Sequence, residues 1–206
     1  MKIGKGLGAI ALMAAALTAG VLTGAQAQDK MDHMDMSRYG GPTYSGKPAL
    51  SVTSSLVKAG GGMDFSVAKA LTSMLGEKTV EAELGKLTRQ YGEEKVKSFV
   101  DVHNFAVQDA LRIATEAGVK LPSAPLSGKK LAMALLTAGM AKDGTFYTEF
   151  LLDKALTHKI HEAVMDDIDK KFGAEADMNY HMVSNQAWYD IGQALGVKKV
   201  KLAKSH

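Results

Sequence analysis

Glu93-Glu-Lys-Val-Lys-Ser-Phe-Val-Asp-Val-His-Asn-Phe-Ala-Val-Gln-Asp-Ala-Leu-Arg-Ile-Ala-Thr-Glu-Ala117 decides the fold. At about 100° per residue, Val96, Val100, His103, Val107, Ala110, Leu111 and Ala114 share one stripe, and Asp101, Gln108, Asp109, Arg112 and Glu116 share the opposite face. Such a segment is a helix with one side turned to a core. Gly118 ends it, and Pro122 and Pro125 prevent its resumption.

Toward the N-terminus, residues 77–91 repeat the pattern with Val80, Leu84, Leu87 and Tyr91, and Gly92 closes that helix. A shorter segment runs from Asp64, as N-cap, to Leu75, where Gly76 interrupts it. Toward the C-terminus, Ser127 caps an apolar helix, Lys129 to Met140. Asp143-Gly-Thr145 then opens a long helix to Phe172, with Lys170 and Lys171 at its negative end and Gly173 as the stop. Phe146, Phe150, Val164, Ile168 and Phe172 form its stripe. A last helix over 175–195 turns Tyr180, Val183, Ala187, Ile191 and Ala194 to one side, flanked by Trp188. No window alternates as a strand does. The pattern predicts an all-α chain: a four-helix bundle over residues 63–195, with an additional short helix between helices two and three. Met74, Met133, Met140 and Met165 read as core fillers.

The ends read differently. Lys2 and Lys5, the uncharged run Leu7 to Val21, and Ala25-Gln-Ala27 form the three parts of a secretory signal peptide over residues 1–27, cleaved before Gln28. The apolar run is Ala- and Gly-rich and short for a membrane span. Export to the periplasm follows from this leader, and no transmembrane span is expected after cleavage. Residues 28–62, with Tyr39-Gly-Gly-Pro-Thr-Tyr44 and Gly60-Gly-Gly62, are too poor in core-forming residues to fold and are expected to be a disordered linker. Residues 196–206 form a basic tail with Lys198, Lys199, Lys201 and Lys204, read as a solvated terminus or, alternatively, as a contact for an anionic surface.

Composition excludes several functions. The chain has no Cys, so thiolate metal sites, disulfides and a lipidated N-terminal Cys are out. Its formal net charge of +3 falls to +1 once Lys2 and Lys5 leave with the leader, too little for a nucleic-acid partner. No nucleophile elbow, phosphate-cradling loop or paired-carboxylate pattern is present. The partners left are a peripheral membrane surface or another protein.

Thr79-Val-Glu-Ala-Glu-Leu-Gly-Lys-Leu87, Glu94 to His103 and Gly118-Val-Lys-Leu-Pro122 resemble a family of exported bacterial proteins, domain-of-unknown-function family 4142, regarded as ferritin-like. Phe146-Tyr147, His158 and His181 fall where that family tends to carry an aromatic pair and histidines. The resemblance covers residues 63–195 and implies a ferritin-like bundle in the cell envelope. It brings no established activity. Here Val102 separates Asp101 from His103, where the family usually places an Asp directly before the His.

The histidines carry the candidate chemistry. His103 sits mid-stripe, an expensive place for an unpartnered imidazole. His158-x-x-His161-Glu162 puts two imidazoles on adjacent turns of a half-buried face, within reach of one metal. If helices two and three run antiparallel with ends aligned, His103 and His161 meet; a crossover instead brings His103 toward Lys154 and His158. With His181 on the last helix and Glu83 on the helix over 77–91, these are the bundle's candidate ligands for a transition metal, copper or iron. A standard di-iron centre is excluded, because no Glu-x-x-His exists in the chain. A second candidate is Met31-Asp-His33-Met34-Asp-Met36, whose thioethers and imidazole suit copper. The functional expectation is a periplasmic, non-enzymatic bundle that binds a metal or a partner, with a link to envelope stress tolerance that the resemblance implies. The alternatives are a degenerate ferritin-like metalloenzyme acting on peroxide or metal, and a protein-interaction adaptor.

Overall fold

Single glycines turn the chain between helices. Gly92 (φ 89°, ψ 156°) and Gly173 (φ 83°, ψ 159°) each donate their backbone N–H to the carbonyl four residues back, closing one helix, and stand as N-cap of the next. Their dihedrals lie in a region open essentially to glycine alone. The computed structural model describes residues 49–155 and 157–203. Its elements are α1 (Leu50–Gly60), a 3-10 turn (Gly62–Asp64), α2 (Val67–Leu75), α3 (Glu77–Tyr91), α4 (Glu93–Glu116), α5 (Gly128–Gly139), β1 (Thr145–Phe146), α6 (Thr148–Ala155), α7 (His158–Phe172), α8 (Ala174–Ala194) and β2 (Lys201–Leu202). The described chain is predominantly helical, as its periodicity requires.

Two apolar clusters hold the helices together. In one, Leu87 of α3, Phe99 and Val102 of α4, Ile168 of α7, and Tyr180 and Val183 of α8 are buried against one another. In the other, Phe65, Ala70 of α2, Leu131 and Leu135 of α5, Phe146 of β1 and Trp188 of α8 close around each other. Each large apolar side chain taken fully out of water contributes about 1.5–3 kcal/mol. The α4–α7 contacts Phe105–Phe172 and Arg112–Asp167 run in opposite order along the two helices, which are therefore antiparallel where they touch.

The structure departs from the sequence reading in five places. Residues 50–60 form α1, where a linker is expected. Its hydroxyls make this possible: Ser54 and Ser55 donate to the Leu50 and Ser51 carbonyls at 3.0 and 2.7 Å, and Thr53 donates to the Ala155 carbonyl. Polar groups satisfied in this way can be buried. Residues 28–48, the leader and the Met31–Met36 motif lie outside the described residues. The cap before α2 is Ser66, whose Oγ accepts from Lys69 N at 3.4 Å, and not Asp64.

The expected long helix from 143 to 172 is three elements. Its start is extended as β1, and it breaks again between α6 and α7 at Thr157 (φ 130°, ψ 151°), whose Oγ1 accepts from Ile160 N at 3.3 Å. The basic tail is not wholly solvated: Lys201–Leu202 pairs in parallel with Thr145–Phe146, and Val200 is buried behind it. Finally, Asp109 is buried although its phase sets it opposite the stripe, because Arg112 donates to it from Nε at 2.8 Å, while Met133 and Ala194 are exposed. No helix among the described residues is long and apolar enough to cross a membrane.

Candidate metal centre

The break at Thr157 turns α7 back against α6 and brings three side chains to one point. Asp153, in the last turn of α6, has Oδ1 at 2.6 Å from His161 Nδ1 and 3.3 Å from His158 Nδ1. Among the described residues these form a group whose ligating atoms all lie within 4.8 Å of one another. Asp153 and His161 are about nine-tenths buried, and His158 is exposed, so the group has one dry side and one wet side. Burial pushes the Asp153 carboxyl up, but hydrogen bonds and charge from His161 and His158 outweigh it and hold the carboxyl below its usual range. His158 Nε2 stands 3.1 Å from Glu162 Oε1, one turn on.

This arrangement suits a cation. Two imidazole nitrogens aimed at one carboxylate oxygen occupy the positions that a metal would pull together by replacing the shared protons. Bonds of about 2.0–2.2 Å to nitrogen and oxygen set a tetrahedral ligand–ligand edge of about 3.3 Å. The His158 distance already matches that edge, and the His161 contact needs to open by less than an ångström.

The other expected bundle ligands lie elsewhere. His103 is enclosed by the rings of Phe65, Phe99 and Tyr180, with centroids at 6.2, 5.6 and 5.7 Å, and does not meet His161 in the α4–α7 register. Its Nδ1 is buried without a partner, and burial lowers the imidazole pKa to about 4. Together with Thr53, Ala106, Leu151, Tyr180 and Ser184 it lines a cavity of about 50 Å³. Glu83 faces Asp190 across α3 and α8. Burial, then the Asp190 charge and hydrogen bond, raise Glu83 to about 7 despite Lys86, which itself pairs with Asp190 at 2.5 Å. The neighbouring Asp190 is therefore already matched by an ammonium group. The structure thus supplies a pair of carboxylates that sequence spacing does not show.

His181 lies between two acids: its Nδ1 is 3.1 Å from Asp177 Oδ1, and its Nε2 is 3.6 Å from Glu149 Oε1. Burial opposes charge on this ring, but Glu149 and Asp177 outweigh it and hold its pKa up to about 9.

No family model, curated protein or solved structure matches the chain. The functional reading therefore rests on these residues. Of the five bundle candidates, the structure brings together His158 and His161. Their shared partner Asp153 escapes sequence reasoning, because the break that delivers it carries neither Gly nor Pro; Thr157 as an N-cap is its one local signal.

Proposed function

We propose that this chain is an exported, periplasmic metal-binding protein, a ferritin-like bundle akin to domain-of-unknown-function family 4142, in which Asp153, His158 and His161 hold one divalent transition-metal ion. The observation that carries the reading is the convergence of two Nδ1 atoms on Asp153 Oδ1 at 2.6 and 3.3 Å. Thr157 supports it, since a non-glycine residue at φ 130° costs about 1–3 kcal/mol and such strain gathers at functional sites. Imidazole and carboxylate together suit zinc, iron(II) or copper(II). A link to envelope stress tolerance is the biological role that the family resemblance implies.

The test is metal analysis of tag-free protein purified at near-neutral pH, set beside Asp153→Asn and His161→Ala. One molar equivalent of metal in the parent and its loss from both variants, with folding retained by circular dichroism, supports the centre. Equal metal content in all three proteins overturns it.

The two-histidine, one-carboxylate set also favours a second reading. Such a triad leaves coordination positions open, as non-haem iron(II) oxygenases do. On this reading the protein turns over peroxide or ferrous ion, and a rate no faster than free metal in buffer rejects it. The adaptor alternative gains little, because Leu131, Ala132, Leu135 and Leu136 of α5 are fully buried and only Met133 stands out.

A further inference from the structure

Helix α6 carries two acids one turn apart, Glu149 and Asp153, and each faces histidine on another helix. Positions i and i+4 project from the same face. Asp153 meets α7 through His161 and His158, while Glu149 meets α8 through His181. The α8 contact has a feature the α7 contact lacks: two of its polar atoms, Glu149 Oε2 and His181 Nε2, are buried without a hydrogen-bond partner. Buried ionisable side chains left this way are costly. The charge pairing of His181 with Glu149 at 3.6 Å leaves room for a closer partner.

The orientation of His181 indicates what that is. Its Nδ1 lies 3.2 Å from the Asp177 carbonyl and 3.1 Å from the Asp177 carboxylate, so the ring proton belongs on Nδ1. Nε2 is then the nitrogen from which a metal would displace a proton, and it is directed at Glu149. At 3.6 Å the Nε2–Oε1 separation is too long for a hydrogen bond and close to the edge of about 3.3 Å set by two ligands on one metal. A carboxylate fixing one ring nitrogen while the other faces a metal is the usual outer support of a histidine ligand.

We propose that Glu149 and His181 form a second cation site in the bundle, with Asp177 as the positioning residue that fixes the His181 tautomer. Two protein side chains supply part of the coordination, and water completes it, so this site binds more weakly than the triad on the far turn of α6. The proposal shares its choice of cation with the reading above, but its ligands are separate.

Cobalt(II) is the probe, because its visible absorption reports bound nitrogen and oxygen ligands. Full-length protein carrying His33→Ala, to remove the imidazole near the N-terminus, is titrated by calorimetry and absorption. The expected result is two equivalents in this parent, one in Glu149→Gln and one in His181→Gln, with the tighter site untouched. In His158→Ala/His161→Ala the weaker equivalent alone remains. Asp177→Asn keeps the second equivalent but weakens it about 10-fold or more, the usual cost of losing such support. Glu149→Gln is isosteric and keeps hydrogen-bonding capacity, so it stays informative if the His181 variant fails to fold. One equivalent in the parent that Glu149→Gln leaves in place, or two in Glu149→Gln, overturns the second site. Loss of one equivalent in Glu149→Gln, with no change in His158→Ala/His161→Ala, refutes the triad and leaves this site standing.

Discussion

His161 Nδ1 lies 2.6 Å from Asp153 Oδ1, although eight residues and a helix end separate the two. In an unbroken helix, eight residues would hold them about 12 Å apart along the axis. The contact therefore exists because the chain breaks at Thr157, and its partners are coupled through the break. Asp153→Ala leaves two imidazoles without their shared acceptor, and His161→Ala leaves a largely buried carboxylate short of its closest donor. Each should destabilise the metal-free protein by about 1–3 kcal/mol. The double variant should lose less than the sum, with a coupling of about 0.5–3 kcal/mol in a urea-denaturation cycle. Strict additivity would show that the contact contributes nothing.

Much of the helix pattern is legible because glycine punctuates it. Gly76, Gly92 and Gly173 mark the bounds of α3, α4 and the α7–α8 turn to within a residue of where sequence spacing puts them. The break at Thr157 is illegible for the converse reason: threonine rarely adopts φ 130°, so no composition signal announces it. Asp153 was hidden with it. The same limit applies to α1, whose serine-rich sequence looks unable to fold until its hydroxyls are seen bonded to backbone carbonyls. Asp109 and Val200 are buried by an arginine and by strand pairing, partners that helical phase alone does not reveal.

His103 should make stability fall in acid. Its folded-state pKa of about 4 lies below the ordinary value of 6.5, and its ring neighbours Phe65, Phe99 and Tyr180 offer no charge to stabilise a proton. The unfolded chain therefore binds that proton more readily. The contribution is intact above pH 6.5 and is lost as pH falls toward 4, by about 3 kcal/mol at most. His103→Leu should flatten this part of the curve, measured as urea midpoint against pH. An unchanged slope in the variant would show that another group controls acid stability.

Glu83 works in the opposite direction. Burial and Asp190 raise it from 4.5 to about 7, so the folded state holds its proton more tightly than the unfolded chain does. Its contribution is complete below pH 4.5 and is lost as pH rises through 7. Glu83→Gln keeps the neutral form at every pH. It should stabilise the protein at pH 8 by about 1 kcal/mol, a figure already discounted because the side chain is half exposed to screening water. At pH 4 it should change little. A variant no more stable than the parent at pH 8 would mean that Lys86 fully neutralises the pair.

Gly139 is where α5 meets Phe146. A Cβ built there comes 2.1 Å from Phe146 Cε2 and 2.5 Å from Cζ, and that ring is fully buried against Trp188, at a centroid distance of 5.7 Å. The ring has no free space into which to retreat, so Gly139→Ala must shift α5 or β1. Overpacking of this kind costs about 1–3 kcal/mol, despite alanine's better helix propensity. Thermal unfolding should show a lower midpoint for Gly139→Ala and a partial recovery in Gly139→Ala/Phe146→Leu. Equal midpoints for parent and single variant would place the α5–β1 contact further apart than this.

Thr157 offers the most direct probe of strain at the triad. Its dihedrals fall near those of Gly92 and Gly173, so glycine can occupy the same corner without penalty. Thr157→Gly should recover part of the strain of about 1–3 kcal/mol. Against this stand a few tenths of a kcal/mol for the lost cap and about 0.5–1 kcal/mol for the greater freedom of glycine in the unfolded chain. The metal-free variant should therefore be about 1 kcal/mol more stable in urea denaturation, while Thr157→Ala, which keeps the strain and loses the cap, should be about 1 kcal/mol less stable. If the break exists to hold His158 and His161 against Asp153, the looser glycine corner should also weaken cobalt(II) binding at that triad. Greater stability with undiminished affinity would mean that the corner shapes the fold without preparing the site.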